Sequence, residues 1–324
     1  MNRIDQAGAA ATRGAAAAPA VHITGLTKLY GEKRALDGVN LTVQEGSVFG
    51  FLGPNGAGKT TTLRILAGLA RPTAGQARVL GRDVVATTNE VRSLIGFLPD
   101  VPGFYGWMTA PELLRLAGEL FGLSGRTLRQ RIDALLELAG LTGVTTKISG
   151  YSRGMRQRLG VAQALINAPR LLMLDEPTSA LDPIGRREVL EMISSLAGRT
   201  TVFFSTHILS DVERVCDTAA VLNKGRVVDQ APIDELKARH GSGHRLLLEV
   251  DRPERLRAAL EGAPWVAGIA LEGGAMSLEV TDLDEAFREV PAAVAAQGLA
   301  LRRLEAAEVS LEEVFVDLVE GRPA

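Results

Sequence analysis

Residues 48–66 read VFGFLGPNGAGKTTTLRIL, and this stretch decides the fold. Its first five residues are almost continuously apolar, which predicts a short buried strand. A glycine-rich turn follows and ends in Lys59 and Thr60, after which apolar residues recur at helical spacing. A strand, a loop of the pattern G-x-x-x-x-G-K-[ST] and a helix form the context in which this pattern binds phosphate. The stretch therefore predicts an α/β domain with a phosphate-binding loop at a strand end.

The chemistry of this loop follows from its residue types. Glycine lets the backbone wrap around a phosphate chain, so that successive N–H groups and the helix N-terminus face the anion. We expect Lys59 to contact the β and γ phosphates of a nucleotide and the Thr60 hydroxyl to bind magnesium. The alternative is a glycine turn that only starts a helix. The predicted nucleotide-binding residues of the loop are Gly53, Pro54, Asn55, Gly56, Ala57, Gly58, Lys59, Thr60 and Thr61.

The 324-residue chain divides into three predicted parts. Residues 1–20 are rich in Ala and Gly, which predicts a flexible tail. Over residues 21–230, short apolar runs such as LLML at 171–174 and TVFF at 201–204 alternate with helical segments, as in an α/β layered domain. Helix-like spacing over about residues 100–168 predicts a helical subdomain inserted into this sheet domain.

The third predicted part, residues 231–324, has a different pattern. Apolar runs and helical segments suggest the order β-α-β-β-α-β, which is typical of a ferredoxin-like unit. The chain then reads VSLEEVFVDLVE at residues 309–320, where Leu311, Val314, Phe315 and Leu318 fall on one helical face. We therefore expect a C-terminal α+β accessory domain.

Composition excludes several classes of function. Lys and Arg number 36 against 38 Asp and Glu, a formal net charge of -2, and this balance argues against nucleic acid as a partner. No stretch approaches the roughly 18 consecutive apolar residues that a membrane-spanning helix needs. The single cysteine, Cys216, excludes an internal disulfide and a cysteine-rich metal site.

Two further apolar runs end in residues that carry chemistry. The run at 171–174 leads into Asp175 and Glu176, and the run at 201–204 leads to His207. Asp175 suits magnesium coordination, and Glu176 is placed to polarise water for attack on a γ phosphate. His207 is expected to contact the γ phosphate. Taken alone, the two acids could simply end the strand in solvent, and His207 could be a turn residue. Because the phosphate loop with Lys59 is also present, we predict that all three are catalytic or metal-binding residues.

The segment YSRGMRQRLG at residues 151–160, between the phosphate loop and the acidic pair, completes a resemblance to the ATP-binding subunits of ABC transporters. The resemblance covers about two thirds of the chain and implies the fold of a P-loop NTPase. It implies that Tyr30 stacks on adenine, that residues 53–60 are the Walker A loop, and that Asp175 and Glu176 are the Walker B pair. It further implies signature residues Ser152 and Gly154, a D-loop at 179–182 that includes Asp182, and His207 as the switch histidine.

The same resemblance implies the partners and cofactors. In that family two nucleotide-binding domains meet head to tail, and each ATP with its Mg²⁺ lies between one Walker A loop and the other subunit's signature. Because this chain contains one set of motifs, we expect it to form a dimer, as a homodimer, and to serve a separate membrane permease from the cytoplasmic face of the membrane. Without the resemblance, Ser152 and Gly154 could simply begin a helix.

The sequence departs from the commonest family pattern at two places. The signature has Tyr151, Arg153 and Met155 where Leu, Gly and Gln are most common, a variant that resembles the ABC-2 exporter branch. Asp100 occupies the position of the usual Q-loop glutamine. An ionised carboxylate there can hold magnesium or its water, but it cannot donate a hydrogen bond. We assign Asp100 a role in sensing magnesium and the γ phosphate.

Aromatic residues concentrate in the loop LPDVPGFYGWM at residues 98–108. Exposed aromatic side chains are what a groove for another protein's helix would use. In the family this region receives a cytoplasmic helix of the membrane subunit. Our hypothesis is that Phe104, Tyr105 and Trp107 form that socket; the alternative is local packing into the helical subdomain.

The sequence favours a magnesium-dependent ATPase that energises an ABC-2 type exporter, and the C-terminal unit resembles that of drug-resistance and antibiotic self-protection ATPases. One alternative is a non-transport ABC ATPase that acts as a nucleotide-dependent regulatory clamp. Another is a P-loop kinase or GTPase, against which the absence of an N-K-x-D motif after the acidic pair argues.

Overall fold

The structure, a computed structural model, describes residues 18–179, 181–240, 244–272, 275–307 and 310–320. The predicted tail at residues 1–20 lies almost wholly outside the described residues. The strands are β1 (Val21–Tyr30), β2 (Lys33–Val43), β3 (Val48–Leu52), β4 (Ala74–Val79), β5 (Arg82–Asp83), β6 (Ile95–Leu98), β7 (Leu171–Asp175), β8 (Thr201–Thr206), β9 (Thr218–Asn223), β10 (Arg226–Pro232), β11 (His244–Val250), β12 (Val266–Glu272), β13 (Ala275–Val280) and β14 (Leu301–Ala307).

The helices alternate with these strands in the first two thirds of the chain, and further helices lie in the last third. They are α1 (Lys59–Leu66), α2 (Thr88–Leu94), α3 (Ala110–Leu120), α4 (Gly125–Leu138), α5 (Arg153–Ala164), α6 (Pro183–Ser194), α7 (Leu209–Val215), α8 (Ile233–His240), α9 (Pro253–Leu260), α10 (Leu283–Ala296) and α11 (Leu311–Glu320), with one 3₁₀ turn at Ile148–Gly150. No helix among the described residues is both long and apolar enough to cross a membrane.

A six-stranded sheet in the order β10-β9-β3-β8-β7-β6 forms the centre of the α/β domain. Its strands are parallel except for β10, which pairs antiparallel with β9. Strands β3, β7 and β8 are buried on both faces, because their side chains alternate between two hydrophobic cores. Phe203, for example, packs with Phe49 on one face while Phe204 enters the core on the other.

The register of these parallel strands brings their ends together. Leu52 pairs with Thr206, and Asp175 pairs with Ser205. The next residue of each chain segment therefore lies at the same edge of the sheet, which is where parallel α/β sheets bind ligands. A separate antiparallel sheet, in the order β2-β1-β4-β5, packs with α1 against one face of this centre.

Helices α3, α4 and α5 form a helical layer between β6 and β7 in sequence. Helix α3 begins with a capping box, in which Thr109 and Glu112 bond to each other's backbone N–H groups. Apolar residues such as Leu114, Ile132 and Leu159 join the core on the opposite face of the central sheet. The fold class is thus that of a P-loop NTPase with an inserted helical subdomain.

The C-terminal sheet has the order β12-β13-β11-β14, with α9 and α10 against one face. The element order β-α-β-β-α-β and this strand order are those of a ferredoxin-like unit, with a core of its own that includes Leu248, Leu278 and Val290. Helices α8 and α11, which flank this unit in sequence, pack instead into the core of the α/β domain through Leu236 and Val314.

Candidate functional site

The phosphate loop begins where β3 ends, and its glycines are required by its neighbours. Gly58 has a φ of 116°, in the left-handed range that residues with a Cβ avoid. A Cβ on Gly58 would lie 2.7 Å from the Ala35 carbonyl oxygen, and one on Gly53 would lie 2.4 Å from the Leu222 carbonyl oxygen. Strands β2 and β9 therefore press directly against the loop and fix its path.

Lys59 is held inside the loop and is only 5% exposed. Its Nζ donates to the carbonyl oxygen of Gly53 at 2.6 Å and lies 3.4 Å from that of Pro54. The same atom lies 3.1 Å from Glu176 Oε1. A buried ammonium group is costly unless it is paired, and the carboxylate supplies the pair. The loop thus keeps a fixed positive charge next to the place where phosphate would bind.

Asp175 lies at the end of β7 with two hydroxyl groups directed at it. Ser205 Oγ donates to Asp175 Oδ1 at 2.7 Å, and Thr60 Oγ1 donates to the same oxygen at 3.2 Å. Burial raises the pKa of the Asp175 carboxyl, the bonds from Ser205 and Thr60 oppose the rise, and the charges of Glu176 and Asp100 add to it. Ionisation here is therefore easier when a cation is near.

The pair of Thr60 and Asp175 fits a magnesium ion. Both groups are hard oxygen donors, and they already lie within hydrogen-bond distance of each other. Among the described residues no group of three or more His, Cys, Asp or Glu side chains is arranged to hold a metal. Magnesium commonly uses one or two protein ligands and completes its shell with water and substrate phosphate. The donor set matches that use rather than an all-protein cage.

Glu176 follows Asp175 in an unusual backbone conformation. Its φ of 50° is in the left-handed region, which costs free energy for a residue with a side chain. Its N–H donates to the Ser205 carbonyl oxygen at 3.0 Å, and its Oε2 lies 2.8 Å from His207 Nδ1. Glu176 thus bridges Lys59 and His207, so that the residues predicted to be catalytic form one connected group.

A cleft of about 350 Å³ opens beside Lys59 and Glu176, and His207 is not among the residues that line it. Its lining includes Tyr30, Asn55, Gly56, Gly58, Lys59, Thr60, Thr61, Asp100 and Glu176. The three other predicted loop residues do not line the cleft. Gly53 and Pro54 present carbonyl groups to Lys59, and Ala57 is buried. Tyr30 is 48% exposed at the mouth of the cleft. A nucleotide with its base at Tyr30 and its phosphates at the loop would occupy this cleft.

Asp100 also lines this cleft. Ser179, three residues after Glu176, donates from its Oγ to Asp100 Oδ1 at 3.1 Å. This bond joins the segment after β6 to the segment after β7, and the charge of Asp100 contributes to the raised pKa of Asp175.

Ser152, Gly154 and Asp182 lie in a second cleft, of about 310 Å³, which shares no lining residue with the first. It is formed by the N-termini of α5 and α6, where Ser152 Oγ accepts the Met155 N–H at 3.2 Å and Asp182 Oδ1 accepts the Gly185 N–H at 2.9 Å. Both residues therefore cap helices. The Ser152 hydroxyl retains its own hydrogen, so capping and donation to an anion are compatible.

The predicted aromatic socket is divided in the structure. Tyr105 and Trp107 are 56% and 64% exposed, and their ring centroids lie 5.9 Å apart. Phe104 instead packs against the core of the helical subdomain, close to Gly160. Local packing, the alternative considered for all three, describes Phe104.

Two features of the site were not anticipated from sequence. Ser205 is fully buried in β8 and contacts both Asp175 and Glu176. In the sequence, Ser205 could have been found as a polar residue directly after the apolar residues VFF of the strand TVFFST. The second feature is a buried tie around Asp211, which accepts hydrogen bonds from Thr178 Oγ1 at 2.6 Å and from Arg186 Nε at 2.5 Å.

Comparison with known proteins gives a consistent result. The sequence profile described as ABC transporter matches residues 36–179. An uncharacterized ABC transporter ATP-binding protein, YxlF of Bacillus subtilis (strain 168), is 42% identical over 92% of this chain and 98% of its own length. The daunorubicin resistance ATP-binding protein DrrA3 of Streptomyces coeruleorubidus is 40% identical over 92% of this chain and 95% of its own.

A third relative and one solved structure add detail. The bacitracin transport ATP-binding protein BcrA of Bacillus licheniformis is 43% identical over 68% of this chain and 72% of its own. The solved structure is a dimeric ATP-binding cassette in a post-hydrolysis state, bound to ADP and phosphate. It superposes with a TM-score of 0.60 at 28% identity, covering 66% of this chain and 98% of that one.

Proposed function

The chain belongs to the ABC transporter family of ATP-binding proteins, and from this premise we propose that it energises an exporter of the ABC-2 type by binding and hydrolysing ATP. The observation that carries the proposal is the convergence of Lys59, Glu176 and His207 at adjoining strand ends. The regulatory-clamp alternative is not favoured, because the characterised relatives are named for transport and resistance.

In the proposed binding step, the phosphate loop receives the β and γ phosphates. Its backbone N–H groups and the N-terminus of α1 face the anion, and Lys59 adds a charged donor. Tyr30 supports the base by stacking. Thr60 and Asp175 would hold Mg²⁺, which would neutralise charge on the phosphates, and Asp100 would be a further ligand or would bind a water of the ion.

In the proposed hydrolytic step, Glu176 accepts a proton from water as the oxygen attacks the γ phosphorus and the bond to the β-phosphate oxygen breaks. Lys59 occupies one oxygen of Glu176 and His207 lies at the other. A phosphate group that binds Lys59 competes for the first contact and leaves Glu176 available to water. His207 orients the carboxylate and contacts the γ phosphate.

The second cleft supports a head-to-tail homodimer. Ser152, Gly154 and Asp182 present a hydroxyl donor, two helix N-termini and a carboxylate to solvent, yet they share no lining with the nucleotide cleft of their own chain. Helix N-termini favour anions. We infer that this surface completes the nucleotide site of a second copy of the chain.

The proposed permease partner is a separate membrane protein, and the protein would act at the cytoplasmic face of the membrane. Exposed Tyr105 and Trp107 support a contact with a helix of that partner. The relatives are named for daunorubicin and for bacitracin, two dissimilar molecules. We infer that the cargo is a drug or antibiotic and that the permease selects it.

The proposed function is tested by MgATP turnover and by assembly of the purified full chain. Glu176→Gln should keep ATP binding, slow hydrolysis about a hundred-fold or more because the proton acceptor is lost, and accumulate an ATP-bound dimer in light scattering. Lys59→Ala should weaken ATP binding about ten-fold or more. Normal turnover in Glu176→Gln would contradict the proposal. So would a Glu176→Gln variant that stays monomeric at saturating MgATP.

A further inference from the structure

The C-terminal helix α11 belongs, by its contacts, to the α/β domain. Leu311 and Val314 are fully buried in the core beneath the central sheet, and Leu318 packs against the same core. The N–H of Leu311 donates to Glu213 Oε1 of α7 at 2.7 Å. The chain thus leaves the α/β domain at α8, forms the ferredoxin-like unit, and returns to the first domain with its last helix.

The last turn of α11 bonds to a residue at the end of β9. Asn223 Nδ2 donates to the carbonyl oxygen of Val319 at 3.1 Å. The last four carbonyl groups of a helix lack partners within the helix and need donors from elsewhere. Asn223 therefore supplies a specific anchor for the end of α11, in addition to its apolar packing.

Asn223 also begins the turn that supports the phosphate loop. Two residues later, the Gly225 N–H donates to the Ala57 carbonyl oxygen at 2.9 Å, and the Gly225 carbonyl accepts the Asp37 N–H at 2.8 Å. Between Asn223 and Gly225, Lys224 has a φ of 46°, a left-handed conformation that must be held by its surroundings. The turn is therefore bonded on one side to the loop and on the other, through Asn223, to α11.

We propose that Asn223 is a positioning residue through which the docked C-terminal helix α11 holds the turn between β9 and β10 against the phosphate loop and so sets the affinity for ATP. This inference rests on the proposed function of the loop. The path runs from Val319 through Asn223 and Gly225 to Ala57. Glu176 and His207 lie on other strand ends and are outside this path. Loss of the anchor should therefore weaken ATP binding more than it slows the chemical step.

The test uses the full chain and MgATP, with KM and kcat measured separately. Asn223→Leu keeps a similar volume and removes the amide donor. We expect KM for ATP to rise about five-fold, the loss typical of one hydrogen bond, with kcat within about two-fold of the unsubstituted protein. The matched control is Gln230→Leu on β10, whose amide bonds to Thr42 of β2 instead of α11; its KM should stay within about two-fold.

A double-mutant cycle separates action through α11 from a local effect of Asn223. Leu318→Ala loosens the same end of the helix by removing apolar packing, and should also raise KM. If both act through helix docking, the double variant should resemble Asn223→Leu alone instead of showing the product of the two effects. Should Asn223→Leu melt at a lowered temperature, Asn223→Ser provides a second variant that lacks the amide and stays polar.

The outcomes are distinguishable. A KM unchanged in Asn223→Leu and Asn223→Ser, or multiplicative effects in the cycle, would overturn the proposal while leaving the proposed function intact. Failure of the unsubstituted protein to hydrolyse MgATP would instead overturn the proposed function itself.

Discussion

At the scale of single residues, Glu176 is the most constrained side chain of the site. It is held by Lys59 at one oxygen and His207 at the other, and its backbone has a positive φ. Strain of this kind persists only where surrounding bonds over-determine it. The N–H bond of Glu176 to the Ser205 carbonyl oxygen is one of those bonds. The position of the proposed base therefore depends on β8 as well as on its own strand.

Ser205→Ala gives a prediction about pH. The Ser205 hydroxyl bond lowers the pKa of Asp175 against the raising effect of burial, so its removal should raise that pKa further. Magnesium needs the ionised carboxylate. The magnesium concentration for half-maximal ATPase activity should therefore increase more steeply in the variant than in the unsubstituted protein as the pH is lowered.

The control for this experiment is Ser195→Ala, which removes a hydroxyl that donates to the Met192 carbonyl oxygen at the end of α6, away from Asp175. Its magnesium dependence should follow that of the unsubstituted protein. Parallel pH profiles for Ser205→Ala and Ser195→Ala would show that the hydroxyl at β8 does not tune Asp175.

At the scale of secondary-structure elements, the buried tie around Asp211 joins the two segments that carry Glu176 and His207, the proposed catalytic residues. Thr178 follows Glu176 by two residues, Asp211 lies on the helix after His207, and Arg186 lies on α6, the helix that Asp182 caps. The tie therefore links the nucleotide site with the cleft proposed to face a second copy.

Arg186→Gln should lower kcat about ten-fold, with KM for ATP within about two-fold, because Asp211 keeps its buried charge and loses the partner that places α7. It should also lower the melting temperature. Arg186→Lys should recover part of kcat, since a cation is restored. The matched control is Arg187→Gln on the exposed side of the same helix, where the pair with Glu191 spans 3.7 Å. Equal kinetics for the two Gln variants would remove any role of Asp211 in placing the site.

At the scale of the whole molecule, separate surfaces are proposed for separate partners. The cleft at Ser152 and Asp182 is proposed for a second copy, and the loop with Tyr105 and Trp107 for a permease. The ferredoxin-like unit is tied to the ATP-binding domain through α11. If Asn223 acts as proposed, a ligand or protein that binds the ferredoxin-like unit would affect the phosphate loop through α11 without contacting either partner surface.

Replacing Tyr105 and Trp107 together with Ala should reduce association with the membrane permease by about ten-fold or more while ATP binding is kept, because both rings are exposed and contribute little to the fold. Co-purification from membranes measures the association. Val228→Ala, which removes an exposed side chain from β10, is the control. Undiminished co-purification of the double variant would refute the socket hypothesis.

Sequence patterns alone predict the phosphate loop, the acidic pair, the strand that precedes each, and the β-α-β-β-α-β order near the C-terminus. These features are local: the loop's donors are contiguous, and strand or helix periodicity is visible over a few residues. Ser205 and Asp211 were missed because a buried polar residue shows its partner only after two strands or helices are adjacent.

The folded structure was needed to show that Phe104 is packed while Tyr105 and Trp107 are exposed, that Ser152 and Lys59 lie in different clefts, and that α11 returns to the first domain. An apolar helical face at residues 311–318 needs a surface to cover it, but its spacing does not specify which one. That choice depends on shape and on bonds between segments far apart in the chain, such as Asn223 to Val319, which exist only once the domains have folded.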